Sequence, residues 1–177
     1  MNSFVSTGKE AHAVKCDLAA EVLRSSGRLR LQVTGSSMLP SIWPGDTLLI
    51  DRLDIDSLNA GDVHKGEIVL FGRERRLFVH RVVERPLNSE SAILTRGDAM
   101  PLPDPPVPTD CLLGKVSFIV RDGKLVQPNR NLSLAQKAVA AVAGKSEIAA
   151  SLMVGVRRKL QASTRRNTSD QAVQCQN

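Results

Sequence analysis

The spacing of apolar residues changes period twice along this chain. In residues 10–25, "EAHAVKCDLAAEVLRS", Ala11, Val14, Leu18 and Val22 recur at helical intervals, with Ala19 and Leu23 beside them. Gly27 follows as a helix stop, so a short amphipathic helix is predicted. In "RLRLQV" the period drops to two. Leu29, Leu31 and Val33 alternate with Arg28, Arg30 and Gln32, the mark of a half-buried strand.

Further strand-like runs follow at 47–52 ("TLLIDR"), 67–71 ("EIVLF"), 77–84 ("LFVHRVVE"), 92–96 ("AILTR") and 112–120 ("LLGKVSFIV"). "RDG" then offers a hairpin turn before "KLVQ". The Gly-Asp, Lys-Gly and Pro-rich breaks between these runs leave no room for crossover helices. The predicted fold class is therefore mainly β, an antiparallel β-domain. Five prolines in "MPLPDPPVP" (100–108) make that stretch an extended, irregular loop, because proline removes ladder donors.

From Leu132 the helical period returns. Ala135, Ala138, Val139 and Val142 form one stripe; Ile148, Ala149, Leu152, Met153, Val156 and Leu160 form another. A helical hairpin packed on the β-domain and a helix lying in a membrane interface both fit this pattern. The organisation read from the sequence is an N-terminal helical segment (1–27), a β-domain (28–127), an amphipathic helical region (128–160) and a disordered basic and polar tail (161–177).

Composition narrows the picture. With 177 residues, 42% of them apolar and 24% charged, the chain is one domain with appendages and a real core. Aromatics are only 3%, with no Tyr and one Trp, so that core is built from Leu, Val, Ile and Ala. Lys and Arg number 24 against 18 acidic residues, a net charge of +6. The surplus lies late: Lys124, Arg130, Lys137, Lys145, Arg157, Arg158, Lys159, Arg165 and Arg166 face only Glu147 and Asp170. Such an end suits an anionic membrane surface, and nucleic acid is not an expected partner. Cys16, Cys111 and Cys175 are far apart and odd in number, which predicts neither a disulfide framework nor a metal site. No cofactor is expected. The N-terminus lacks an apolar core long enough for a signal peptide, and nowhere do 18 apolar residues run together. A cytoplasmic or membrane-peripheral location fits.

The chemistry centres on "VTGSSMLPSIWPGD" (33–46), where a strand ends in a Pro-punctuated turn. A serine nucleophile needs a rigid, exposed mount, a base within hydrogen-bond reach and donors for the oxyanion. Ser37 has the mount, although turn serines are common. His80, within "LFVHRVVE", is the best-placed base; His12 and His64 read as surface residues. The orienting carboxylate is either Asp98 in "TRGDAM" or Asp104 in the proline-rich loop, and periodicity does not choose between them.

Taken together, these stretches resemble the type I signal peptidase family of serine proteases, whose catalytic domain is similar to that of the LexA repressor autoproteases. "SMLPS" (37–41) with "PGD" (44–46) resembles the nucleophile box, and "KGEIVLF" (65–71) the following strand. "FVHRVVE" (78–84) resembles the base strand, "LTRGDAM" (94–100) the Gly-Asp box and "LLGKV" (112–116) the closing strand. The five boxes stand in the family's order across residues 28–127. Bacterial members carry lysine before the arginine of the base strand. Here His80 precedes Arg81, which is similar to the branch that uses Ser and His with a supporting Asp.

The resemblance implies Ser37 as nucleophile, His80 as general base, Asp104 as orienting carboxylate and Asp98 as a supporting residue. It also implies cleavage of a signal or leader peptide after small residues such as Ala. Two positions depart from the family. Gly35-Ser36-Ser37 stands where the family often has Ser-Gly-Ser, so the first serine's hydroxyl, an oxyanion donor there, is missing or replaced and the backbone N–H of Ser37 remains as donor. The loop "GDAMPLPDPPVP" also lacks the paired asparagines of the His branch. A LexA-like regulator fits less well, since no Ala-Gly or Cys-Gly bond precedes Ser37 and only about 27 residues precede the first strand. A non-catalytic or self-processing module that binds peptides by strand addition is the remaining alternative.

Overall fold

A computed structural model describes residues 4–53, 63–85, 92–145 and 151–156 of the chain. It is mainly β. Helix α1 (Phe4–Ser26) leads into β1 (Arg28–Gln32), and Gly27, at φ 70°, closes the helix by donating its N–H to the Leu23 carbonyl at 3.0 Å. There follow β2 (Thr47–Arg52), β3 (Ile68–Arg73), β4 (Arg76–Glu84), β5 (Ala92–Arg96), the two-residue β6 (Val107–Pro108), β7 (Leu112–Arg121) and β8 (Lys124–Val126). Helix α2 (Leu134–Lys145) follows β8, and residues 151–156 are helical too.

The strands form one antiparallel sheet in the order β1-β2-β7-β3-β4-β5-β6, with β8 paired to the far end of β7. β3 is central, and its first four residues are all buried. Alternation sorts them: Ile68 and Leu70 face one apolar cluster with Leu23, Met38, Ile42, Leu48 and Ile50. Val69 and Phe71 face another with Leu53, Val63, Val82, Ile93 and Leu112. The β3–β4 hairpin turns through Glu74 and Arg75, both with positive φ, and the β7–β8 hairpin turns through Asp122-Gly123.

Several boundaries and faces differ from the sequence expectation. α1 begins at Phe4, not near residue 10, and its buried line is Ala19 and Leu23. Of the apolar stripe read from periodicity, Val14 and Leu18 are 64% and 60% exposed, and the residues beside it turn inward. The helix is seated by Leu23 in the first cluster, which rotates the inward face one position from the predicted row. The same one-position offset occurs in α2, where Ala140 and Ala143 are buried while Ala135, Ala138 and Val142 are exposed. Ser133 begins this helix as a reciprocal cap: Gln136 N–H donates to its Oγ, and its own N–H donates to Gln136 Oε1. Ala143 packs with Leu39 and Ala99, and Trp43, Met153 and Val154 border the same cluster. α2 thus lies on the β-domain. The proline-rich loop is not wholly irregular either, since Val107 and Pro108 pair with Ile93 and Ala92. Cys16 and Cys111 are free thiols. The predicted tail (161–177), Cys175, Ile148, Ala149 and Leu160 lie outside the described residues.

Candidate active site

Ser37 sits on the loop that joins β1 to β2, and this loop is fastened along its length. Val33 N–H donates to Asp46 O at 2.9 Å and Gly45 N–H to Val33 O at 2.8 Å, closing its two ends on each other. Inside, Met38, Leu39 and Ile42 are buried and anchor a helical turn. The Asp46 carboxylate, 5% exposed, accepts from Trp43 N–H at 2.9 Å and from the Arg121 guanidinium at 2.7 Å. Arg121 also donates to Ser41 O at 2.7 Å. A second loop braces the first: Ala99 N–H donates to Ser37 O at 2.9 Å. Gly97 packs so closely that an added Cβ would lie 2.7 Å from Ser37 O. Ser37 is thereby held at a partly exposed point of an apolar-anchored frame.

His80 lies in β4, buried beside the rings of Phe71 and Phe78, whose centroids are 6.0 and 5.9 Å away at steep interplanar angles. Its Nε2 is 3.1 Å from Ser37 Oγ and its Nδ1 is 2.7 Å from Asp104 Oδ2. Asp104 is fixed twice by β5. Its N–H donates to Thr95 O at 2.8 Å, and Thr95 Oγ1 donates to Asp104 Oδ2 at 2.6 Å. A carboxylate facing Nδ1 holds the proton there, which leaves Nε2 as the acceptor turned toward the serine hydroxyl. That arrangement can draw a proton from Ser37 and return it to a leaving group.

The four residues singled out in sequence therefore separate. Ser37, His80 and Asp104 meet in one chain of hydrogen bonds. Asp98 does not touch His80. It binds Arg81, the next residue of β4, in a two-pronged pair with Nε–Oδ1 at 2.7 Å and Nη2–Oδ2 at 2.8 Å. Arg81 further donates to Gly66 O and Asn129 O, each at 2.7 Å, and to Ser41 Oγ at 3.1 Å. Asp98 acts on the site by holding its frame. Ser36 is exposed, and its carbonyl accepts from Leu39 N–H. The backbone N–H of Ser37 has no acceptor among the described residues. His64 is exposed and remote from this chemistry, and the side chain of His12 lies outside the described residues.

Sequence reasoning missed Thr95, Arg121 and Asp46. Thr95 carried a signal, since it is a polar residue at an inward position of β5, on the same face as Ile93, and it is fully buried. Arg121 and Asp46 are 75 positions apart, and nothing local links them. Among the described residues no cluster of three or more His, Cys, Asp and Glu side chains is arranged to hold a metal ion.

Beside Ser37 and His80 runs a groove of about 490 Å³, lined by Leu31, Val33, Met38, Ile42, Leu77, Phe78 and Val79 together with polar residues at its rim. Its wall includes β4 residues 76–80, which pair with β3 on one edge; pairing with β5 begins only at Arg81. The fold and this site define a scaffold of the serine-peptidase type. The model of Peptidase S24-like proteins matches residues 4–100, over half of the 177, and the chain belongs to that family. This is the family shared by LexA-type autoproteases and signal peptidase I, the group its sequence boxes resemble. The match includes Ser37, His80 and Asp98 and ends before Asp104. No curated protein matches the chain, and neither does any solved structure.

Proposed function

We propose that the chain is a serine endopeptidase of the signal peptidase kind, acting on a signal or leader peptide of a precursor. The continuous Ser37–His80–Asp104 hydrogen-bond chain carries this reading. His80 Nε2 takes the Ser37 proton as Oγ attacks the substrate carbonyl. The oxyanion that forms faces the unpaired N–H of Ser37. Asp104 holds the imidazolium, which then protonates the departing amine, leaving an ester on Ser37. Water deprotonated by His80 cleaves that ester and restores the enzyme.

An extended peptide suits the groove, because the edge of β4 at residues 76–80 offers backbone groups to an added strand. The preference for small residues before the cleaved bond comes from the family resemblance alone. Membrane docking by the C-terminal region is supported by Val142, Leu152 and Val156, which are 56%, 64% and 58% exposed. No helix among the described residues is long and apolar enough to cross a membrane.

The test is incubation of the full chain and of Ser37→Ala with precursor peptides holding an Ala-x-Ala site, with and without anionic vesicles. Cleavage after the second Ala by the native chain alone supports the reading, and cleavage by neither rejects it. Co-sedimentation with anionic but not neutral vesicles is the outcome membrane docking predicts.

A further inference from the structure

We infer that the groove selects peptides carrying an acidic side chain about four residues from the cleaved bond, with Arg76 and Lys15 as its partners. The inference rests on the peptidase reading and names the substrate class of that same site.

The groove's charged lining is one-sided. Among the described residues that line it, Lys15 and Arg76 carry the formal charges, and none is a carboxylate. Five other cations of the β-domain are occupied: Arg28 by Asp51, Arg81 by Asp98, Arg121 by Asp46, and Lys115 and Arg130 by Glu67. Arg73, on the same hairpin as Arg76, donates to the carbonyls of Pro105 and Pro106 and lies over the Phe71 ring. Lys15 and Arg76 form no ion pair among the described residues, and both are exposed at the rim of an otherwise apolar groove. Their charge is not used by the fold.

Position turns this into a specificity. Arg76 precedes His80 by four residues on β4, and strand rise of about 3.3 Å per residue separates them by about 13 Å. The even spacing puts Arg76, Phe78 and His80 on one face of the strand. A peptide extended along the open edge of β4 advances at the same rate, so a side chain about four residues from the reacting carbonyl reaches Arg76. Lys15 approaches from α1. It continues the row of Leu23 and Ala19 at helical intervals, and these two seat the helix on the domain. Apolar residues of the peptide would fill the groove between these cations and Ser37, while a carboxylate at its end would meet two positive groups.

The test separates binding from catalysis. Calorimetric titration of the Ser37→Ala chain uses two pairs of synthetic peptides with a central Ala-x-Ala. One pair has Glu or Gln four residues before the bond, the other four residues after it. Exposed charge pairs are individually weak and salt-screened. The expected result is therefore about three- to tenfold tighter binding of the Glu peptide in one placement at low salt, shrinking in 0.5 M NaCl. The combined substitution Lys15→Met and Arg76→Met should bring the ratio to about one, whereas Lys15→Arg with Arg76→Lys should keep it. Equal binding of Glu and Gln peptides in both placements overturns the inference, as does a preference that survives the double Met change or an absence of binding. Glu-selective binding without cleavage by the native chain would instead reject the peptidase reading and leave the selectivity standing.

Discussion

His80 and Arg81 are neighbours on one strand, and each meets a carboxylate from the segment after β5, yet the two pairs do opposite work. Asp98 and Arg81 form a closed clamp: their side chains are 2% and 8% exposed, and Arg81 also donates to Gly66, Asn129 and Ser41. Asp104 and His80 form an open one. Asp104 is 19% exposed, and the far nitrogen of His80 is left facing Ser37. A permanently charged guanidinium with five fixed donors is suited to tying loops together. An imidazole with one nitrogen held and one free is suited to moving a proton. Alternation on β4 sends the two side chains to opposite sides, so one strand serves both ends.

The comparison can be broken by removing one carboxylate at a time. Asp104→Asn should leave the fold intact and lower kcat/KM about 10²- to 10⁴-fold, because an amide lets the imidazole take the wrong tautomer. Steady-state cleavage and thermal unfolding measured on the same preparation check this. Asp98→Ala should act on stability first. It leaves the buried Arg81 charge uncompensated, a loss of about 3–5 kcal/mol visible as an earlier denaturant midpoint.

Gly97→Ala sharpens the contrast, since its Cβ would press on Ser37 O. Overpacking of this kind costs about 1–3 kcal/mol, and activity should fall further than stability because the displaced residue is the proposed nucleophile. The smallest effect concerns Glu67. Burial alone would raise its pKa, but the His64 N–H, Lys115 and Arg130 outweigh it and the net shift is downward. A carboxylate with a lowered folded pKa contributes stability above its unfolded value of about 4.3 and loses it as pH falls through the folded one. Glu67→Gln should therefore flatten the acid side of the stability curve below about pH 4.3, measured by urea unfolding.

The strands were readable because their inward residues alternate, and the sheet's antiparallel pairing followed from the short connections. β2 and β5 match the sequence expectation at both ends. The helices were readable as helices but not by face. Val14 and Leu18 fit a stripe as well as Ala19 and Leu23 do, and only the packing of Leu23 against the sheet decides which side turns inward. At the site, Ser37, His80 and the two aspartates stood out through ordered boxes. The choice between Asp98 and Asp104 needed three dimensions, because each is a carboxylate after a turn and only the register of Asp104 against Thr95 brings it to His80. The partnership of Arg121 with Asp46 left no local trace, because it joins the end of β7 to a loop 75 positions earlier.

The most direct test of the account is peptide cleavage by His80→Ala beside the native chain, with both shown to be folded by their unfolding transitions. The account predicts that the substitution lowers kcat/KM by about 10⁴-fold or more. Cleavage retained by His80→Ala at a rate near the native one would contradict it.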